Sequence, residues 1–111
     1  MFMQNYSKNK LILVKYPFTD LSDDKIRPAV IISEGHYDDL FIVPLTSKTD
    51  FITEGEFVLT DWKKAGLNVT TAVKRGIFTI DSKLVVKEIG FLSNGDSEKL
   101  RSLIIFWLNL K

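Results

Sequence analysis

Lys25-Ile26-Arg27-Pro28-Ala29-Val30-Ile31-Ile32-Ser33 sets a cationic opening against a nearly unbroken apolar run. A short apolar run from Pro28 to Ser33, closed by the turn-forming Glu34-Gly35-His36-Tyr37-Asp38-Asp39, reads as a strand buried on both faces. Leu40 to Leu45 returns as a second apolar strand and ends in Val43-Pro44-Leu45-Thr46-Ser47. If the two strands form an antiparallel hairpin centred on the His36–Tyr37 peptide, Arg27 stands opposite Thr46. Directly opposed residues have Cβ atoms about 5 Å apart on one face, and a slip of one residue separates them. Pro28 holds Arg27 extended and sits at the strand's first position, where a missing donor is tolerated. Pro44, inside the returning strand, predicts an edge or a bulge there.

A guanidinium at the mouth of one strand and the Thr46 and Ser47 hydroxyls at the end of the next make a phosphate-handling arrangement. Arg27 offers a planar fork for two phosphate oxygens and stays charged at any working pH. Attack of an RNA 2′-hydroxyl on its own phosphate develops charge on the phosphoryl oxygens, which a preorganised cation stabilises. The nucleophile then comes from the substrate. The polar segment from Thr19 to Ile26 reads as a loop beside the site that closes over a ligand. The plainer alternative is a surface arginine and a turn threonine.

Composition narrows the chemistry. The 111 residues predict one domain, 1–111, with 45% hydrophobic and 26% charged residues in ordinary globular proportion. The absence of cysteine removes disulfides, thiolate catalysis and zinc–thiolate sites. With one histidine, paired-imidazole RNA cleavage is excluded and a metal cluster is unexpected, so no cofactor is called for. The net charge of +1 gives no global attraction for nucleic acid, which would need a local basic patch. Met1-Phe2-Met3-Gln4-Asn5 turns polar too early for a signal-peptide core, and the apolar run from Leu103 to Leu108 is far short of the ~20 residues that span a bilayer. The expectation is a soluble cytoplasmic protein without membrane contact.

Around the hairpin, Leu11 to Tyr16 reads as a strand ended by Pro17, and Glu56 to Leu59, Thr70 to Ile80 and Leu84 to Leu92 as further strands. Asp61-Trp62-Lys63-Lys64-Ala65-Gly66 reads as one helical turn, with Asp61 as N-cap and Gly66 as C-cap. After Ser93 the period changes: Leu100, Leu103, Ile104, Trp107 and Leu108 fall at helical spacing. Ser93 and Asp96 resemble a capping box with aspartate replacing the usual glutamate. The sum is a mainly β fold: a small, strongly bent barrel with a short inserted helix and a C-terminal α-helix.

At these residues the chain resembles the MazF/PemK-like toxins of type II toxin–antitoxin systems. The matching blocks are Leu13 to Leu21, Arg27 to Ser33, Val43 to Ser47, Asp61 to Leu67, Phe78 to Asp81 and Ile89 to Ser93, in the family's order. The resemblance implies an SH3-like barrel, a homodimer, and metal-independent cleavage of single-stranded RNA at short motifs, leaving a 2′,3′-cyclic phosphate and a 5′-hydroxyl. The family's catalytic arginine falls on Arg27 and its catalytic threonine or serine on Thr46. Thr19, Lys25, Ser47, Lys48 and Lys74 are expected to contact substrate. The expected partners are RNA and a cognate antitoxin, a small acidic protein with a disordered tail that folds over the basic cleft. Two features depart from the family. Asn9-Lys10 replaces its usual Gly-Asp, putting a basic residue for an acidic one near the site, and the basic register of Lys74-Arg75 before Phe78 differs from its Ser-x-x-Arg pattern.

Plainer readings stand beside the sharp ones. His36 sits at the hairpin turn, away from Arg27, and reads as solvated. Asp23 and Asp24 read as loop acids rather than an acid/base pair, and Lys63 and Lys64 as a solvated face rather than an RNA patch. Trp62 is expected to anchor its turn rather than stack a base. Ile105 and Phe106 add apolar surface outside the helical stripe, for which a dimer interface or covering loops are expected. Two other functions are consistent with the fold: a gyrase poison resembling the CcdB type, acting through its C-terminal end near Trp107, and a catalytically silent RNA- or protein-binding module.

Overall fold

The computed structural model describes residues 6–16, 25–34 and 38–110. The hairpin at its centre pairs β2 (Lys25–Ile31) with β3 (Asp39–Thr46). Ala29 faces Pro44, Val30 faces Val43 and Ile31 faces Ile42. That is the register a hairpin centred between residues 36 and 37 requires. The ladder between the two strands ends at Ala29 and Pro44, two residues short of Arg27 and Thr46. All seven central side chains from Ala29 to Ile31 and from Ile42 to Leu45 are buried, as the continuous apolar runs dictate.

Among the described residues the remaining strands are β1 (Lys10–Tyr16), β4 (Phe57–Val58), β5 (Ala72–Val73), β6 (Phe78–Asp81) and β7 (Val85–Phe91), and the single α-helix is α1 (Asn94–Leu108). The antiparallel sheet runs β4-β5-β3-β2-β1-β7, with β6 also on β3. Alternation divides its side chains between two cores. Leu11, Val30, Val43 and Leu45 meet Leu59, Ala65, Leu92 and Leu100 of α1 on one face. Ile12, Val14, Ala29, Ile31, Ile42 and Ile80 meet Tyr6, Leu84 and Val85 on the other.

Of three expectations, two are modified and that of a single inserted turn is met. The sheet is open: β4 and β7 share no ladder. β7 is approached by the turn that follows β4 instead, since a methyl group on Gly90 of β7 would lie 2.3 Å from the Ala65 carbonyl oxygen. The inserted helix amounts to one turn. Ala65 N–H donates to Asp61 O at 3.1 Å, Gly66 N–H to Lys63 O at 3.0 Å and Leu67 N–H to Trp62 O at 3.1 Å. With Gly66 at φ +97°, this is a Schellman ending.

The third concerns Pro44, which is buried inside β3 rather than on an edge. On one side β3 pairs with β6 from Asp39↔Asp81 to Ile42↔Phe78 and then with β5 from Leu45↔Val73. Pro44 falls where the partner changes, and the irregular stretch lies across from it, at residues 74–77. Its carbonyl still accepts from Lys74 N–H at 2.9 Å. A residue without a donor suits a gap in the ladder. The same gap divides the expected Thr70–Ile80 strand into β5 and β6.

α1 begins as expected. The Ser93 hydroxyl accepts from Asp96 N–H at 3.2 Å. The Asp96 carboxylate does not complete a capping box; one oxygen accepts from Thr60 N–H at 3.0 Å and the other from Asp61 N–H at 2.9 Å. It is 1% exposed. Leu100 is buried on this helix, Leu103, Ile104 and Trp107 are half-buried, and Leu108 is exposed with Ile105 and Phe106. Among the described residues no helix is long and apolar enough to cross a membrane.

Candidate functional site

A cleft of about 980 Å³ opens where β2 begins and β3 ends. β2 contributes Lys25, Ile26, Arg27 and Pro28; β3 and its exit contribute Pro44, Leu45, Thr46, Ser47 and Lys48. Leu13 of β1 and Lys87 and Ile89 of β7 close one side, and Gly66 to Val69, Thr71, Lys74, Arg75 and Phe78 the other. Six cations line this cleft, Lys25, Arg27, Lys48, Lys74, Arg75 and Lys87, and none of its described lining residues is acidic. A chain whose net charge is +1 thus concentrates positive charge at one end of its sheet.

Local geometry fixes several of these groups. Arg27 alternates along β2 with the buried Ala29 and Ile31, so it continues their face out to the rim, where it is exposed. Thr46 continues the face of Ile42 and Pro44 in the same way. Its Oγ1 accepts from Lys48 N–H at 3.1 Å. That bond holds the side chain and leaves the hydroxyl hydrogen to be donated.

The opposite wall is held from behind. Glu56 accepts from Arg75 N–H at 3.0 Å with one carboxylate oxygen and from Thr53 N–H at 2.9 Å with the other. Burial acts to raise the pKa of this carboxyl, but the backbone bonds from Arg75 and Thr53, the Thr53 hydroxyl and the Lys74 charge outweigh it and hold the group below its ordinary value. The buried Thr71 hydroxyl donates to Val69 O at 2.9 Å, shaping the strip between turn and strand. The two Asp96 bonds tie residues 60 and 61, just ahead of the Gly66–Val69 wall, to the start of α1.

Of the expected site residues, Arg27, Thr46, Lys25, Ser47, Lys48 and Lys74 all line this one cleft. Thr19 lies outside the described residues, as do Asp23, Asp24 and His36. Lys63 stands 5.5 Å from the centre of the Trp62 ring, and neither it nor Lys64 lines the cleft. Trp62 packs against the α1-side core.

Lys10 departs from its expected place near the site. It is not among the cleft residues; it pairs with Glu88 across β1 and β7 and lies 5.4 Å from the Phe91 ring centre. Asn9 has φ +74°, the left-handed region that glycine and asparagine enter most readily. Sequence reasoning missed Lys87, Asn68 and Phe78 as cleft residues. Lys87 comes to the site only because β7 pairs with β1, where it faces Leu13. The 73 residues between them carry no local signal of that pairing.

Comparison with known proteins agrees with this architecture. A family profile described as "PemK-like, MazF-like toxin of type II toxin-antitoxin system" matches residues 8–108. The solved Mycobacterium tuberculosis toxin MazF-mt6 superposes with a TM-score of 0.74 at 20% identity, over 92% of this chain and 98% of its own. An endoribonuclease from a mycobacterial species gives 0.76 at 18% identity, over 99% and 97% of the two chains. A MazE–MazF structure from Deinococcus radiodurans gives 0.73 at 13% identity, over 97% and 99%. No curated protein sequence matches the chain. At these identities the structural likeness is one of fold, and the profile match spans almost the whole chain.

Proposed function

The chain belongs to the PemK-like, MazF-like toxins of type II toxin–antitoxin systems, and from that premise we propose that it is a metal-independent endoribonuclease cutting single-stranded RNA. The observation that carries the reading is the presence of Arg27 and Thr46 along one cleft lined by six cations and by no described carboxylate. The 2′-oxygen of one ribose attacks the adjacent phosphorus, and the bond to the 5′-oxygen of the next nucleotide breaks. The 2′-hydroxyl proton leaves to solvent and the departing 5′-oxygen gains one, so the products are a 2′,3′-cyclic phosphate and a 5′-hydroxyl. Arg27 holds the phosphoryl oxygens by charge-assisted bonds that strengthen as negative charge accumulates there. Thr46 donates its hydroxyl hydrogen to the same group. Lys25, Ser47, Lys48 and Lys74 hold the flanking nucleotides, chiefly by their phosphates.

In this reading the protein works in the cytoplasm as a homodimer, with the exposed Ile105, Phe106 and Leu108 of α1 covered in the assembly. It is held inactive by a small acidic antitoxin that occupies the basic cleft. A gyrase-poison reading would draw on Trp107, but the Trp107 indole Nε1–H donates to Gly55 O at 2.7 Å, and its ring packs on the core.

The test is cleavage of a long single-stranded RNA in EDTA, with the ends of the products identified chemically. Wild type is expected to cut, and Arg27→Ala to lose about 10²–10³-fold or more in kcat/KM, with the variant shown by its melting curve to be folded at the assay temperature. Arg27→Lys restores the charge without the fork and is expected to recover only part. A protein that never cuts RNA yet blocks gyrase supercoiling would overturn the assignment.

A further inference from the structure

Six cations and two hydroxyls account for phosphate and ribose, but nothing so far in the cleft reads a base. Phe78 is the one aromatic side chain among the described residues that line it. It opens β6 opposite Ile42, so it shares the face of Ile42 and Ile80. Those two are 0% and 7% exposed, whereas Phe78 is 41% exposed. The ring therefore lies where that core layer runs out into the cleft.

Its position is also backed. A methyl group on Gly76 would come within 3.0 Å of Phe78 Cε2, so the Gly76 backbone lies against the ring's edge. Gly76 has φ +147°, a conformation that L side chains rarely adopt. Glu56 holds the same irregular stretch through Arg75 N–H. An apolar ring set by a fixed backbone, next to Lys74 and Arg75, answers a specific need of single-stranded RNA. Its unstacked bases seek aromatic faces while cations follow its phosphates.

We propose that Phe78 is a stacking platform for one unpaired nucleobase of the RNA held in this cleft. The inference rests on the cleft being an RNA site, as proposed above, but not on the RNA being cut there. Stacking is tolerant of base identity, so Phe78 sets where a strand sits rather than which base it carries. The basic lining favours RNA over an apolar peptide side chain as the occupant.

The experiment uses a 2′-fluoro RNA of about ten nucleotides, which lacks the attacking hydroxyl, and a series of the same strand with one abasic nucleotide moved along it. Phe78→Ala is expected to weaken binding of the intact strand by about 5- to 150-fold. Phe78→Leu, which keeps an apolar filler in case the truncation unfolds the rim, loses most of the same factor. Phe78→Trp restores binding, with indole fluorescence quenched by the strand relative to wild type. At one abasic position wild type and Phe78→Leu bind alike, because the partner of the ring is gone. Equal binding of the intact strand by wild type and Phe78→Leu would overturn the proposal, and so would an equal loss on every abasic strand. A wild type that binds the 2′-fluoro strand but does not cut RNA would sink the nuclease assignment and leave the stacking site standing.

Discussion

Glu56 shows how a single side chain governs the cleft without lining it. Its folded pKa is lowered, so its contribution to stability is fully present above the ordinary glutamate value of 4.5 and disappears as pH falls through the folded value. Glu56→Gln removes that dependence. Thermal melts from about pH 7 down to about pH 3.5 are expected to show wild type losing stability relative to the variant on acidification. Parallel curves would show that the carboxylate does not hold residues 53 and 75. At this scale the sequence was legible where chemistry is local. That Arg27 and Thr46 would lie along one cleft was readable because the paired apolar runs confine the register between their strands. Asn9 was readable only as a departure; its φ of +74° shows that asparagine there meets a backbone demand usually met by glycine. Lys10 could not be placed, because its partner Glu88 lies on a strand far along the chain.

Among elements, the short turn at residues 61–67 and α1 act as one piece through Asp96. The spacing of Ser93 and Asp96 announced the helix start, but not that the carboxylate would bond two backbone donors from elsewhere. Asp96→Ala leaves the Thr60 and Asp61 N–H groups without their acceptors in a buried site. Urea denaturation is expected to show a loss of about 3 kcal/mol or more, and Asp96→Asn, which keeps one acceptor, a smaller one. A loss below about 1 kcal/mol for the alanine variant would mean that water replaces the carboxylate at no great cost. The strands were legible wherever one neighbour spans them. The Thr70–Ile80 run was misread as continuous because its break is imposed by β3, which exchanges one partner for another beside Pro44.

For the whole molecule, composition indicated that any attraction for nucleic acid must be local, and six cations do gather along one cleft. The lining of the cleft was legible only from β2, β3 and the basic residues near them. The share contributed by β7 depends on a long-range pairing that hydrophobic pattern leaves unspecified. Lys87 tests that missing share. If all six cations meet phosphates, RNA affinity is expected to fall with salt at a log–log slope of about −4, from about −0.7 per phosphate on a single strand. Lys87→Ala makes the slope shallower by about 0.7. Binding indifferent to salt would show that the cluster does not engage the backbone.

The contact between Gly90 and Ala65 has a bearing on how this molecule could be re-engineered. The approach of the turn to β7 is set by a missing side chain at Gly90 and by backbone atoms at residue 65, while the turn's other end is set by Asp96. Neither support involves the exposed Asn68 and Val69 side chains. Those two positions can therefore be randomised in a library without loosening the scaffold, which makes them the natural place to alter what the cleft selects.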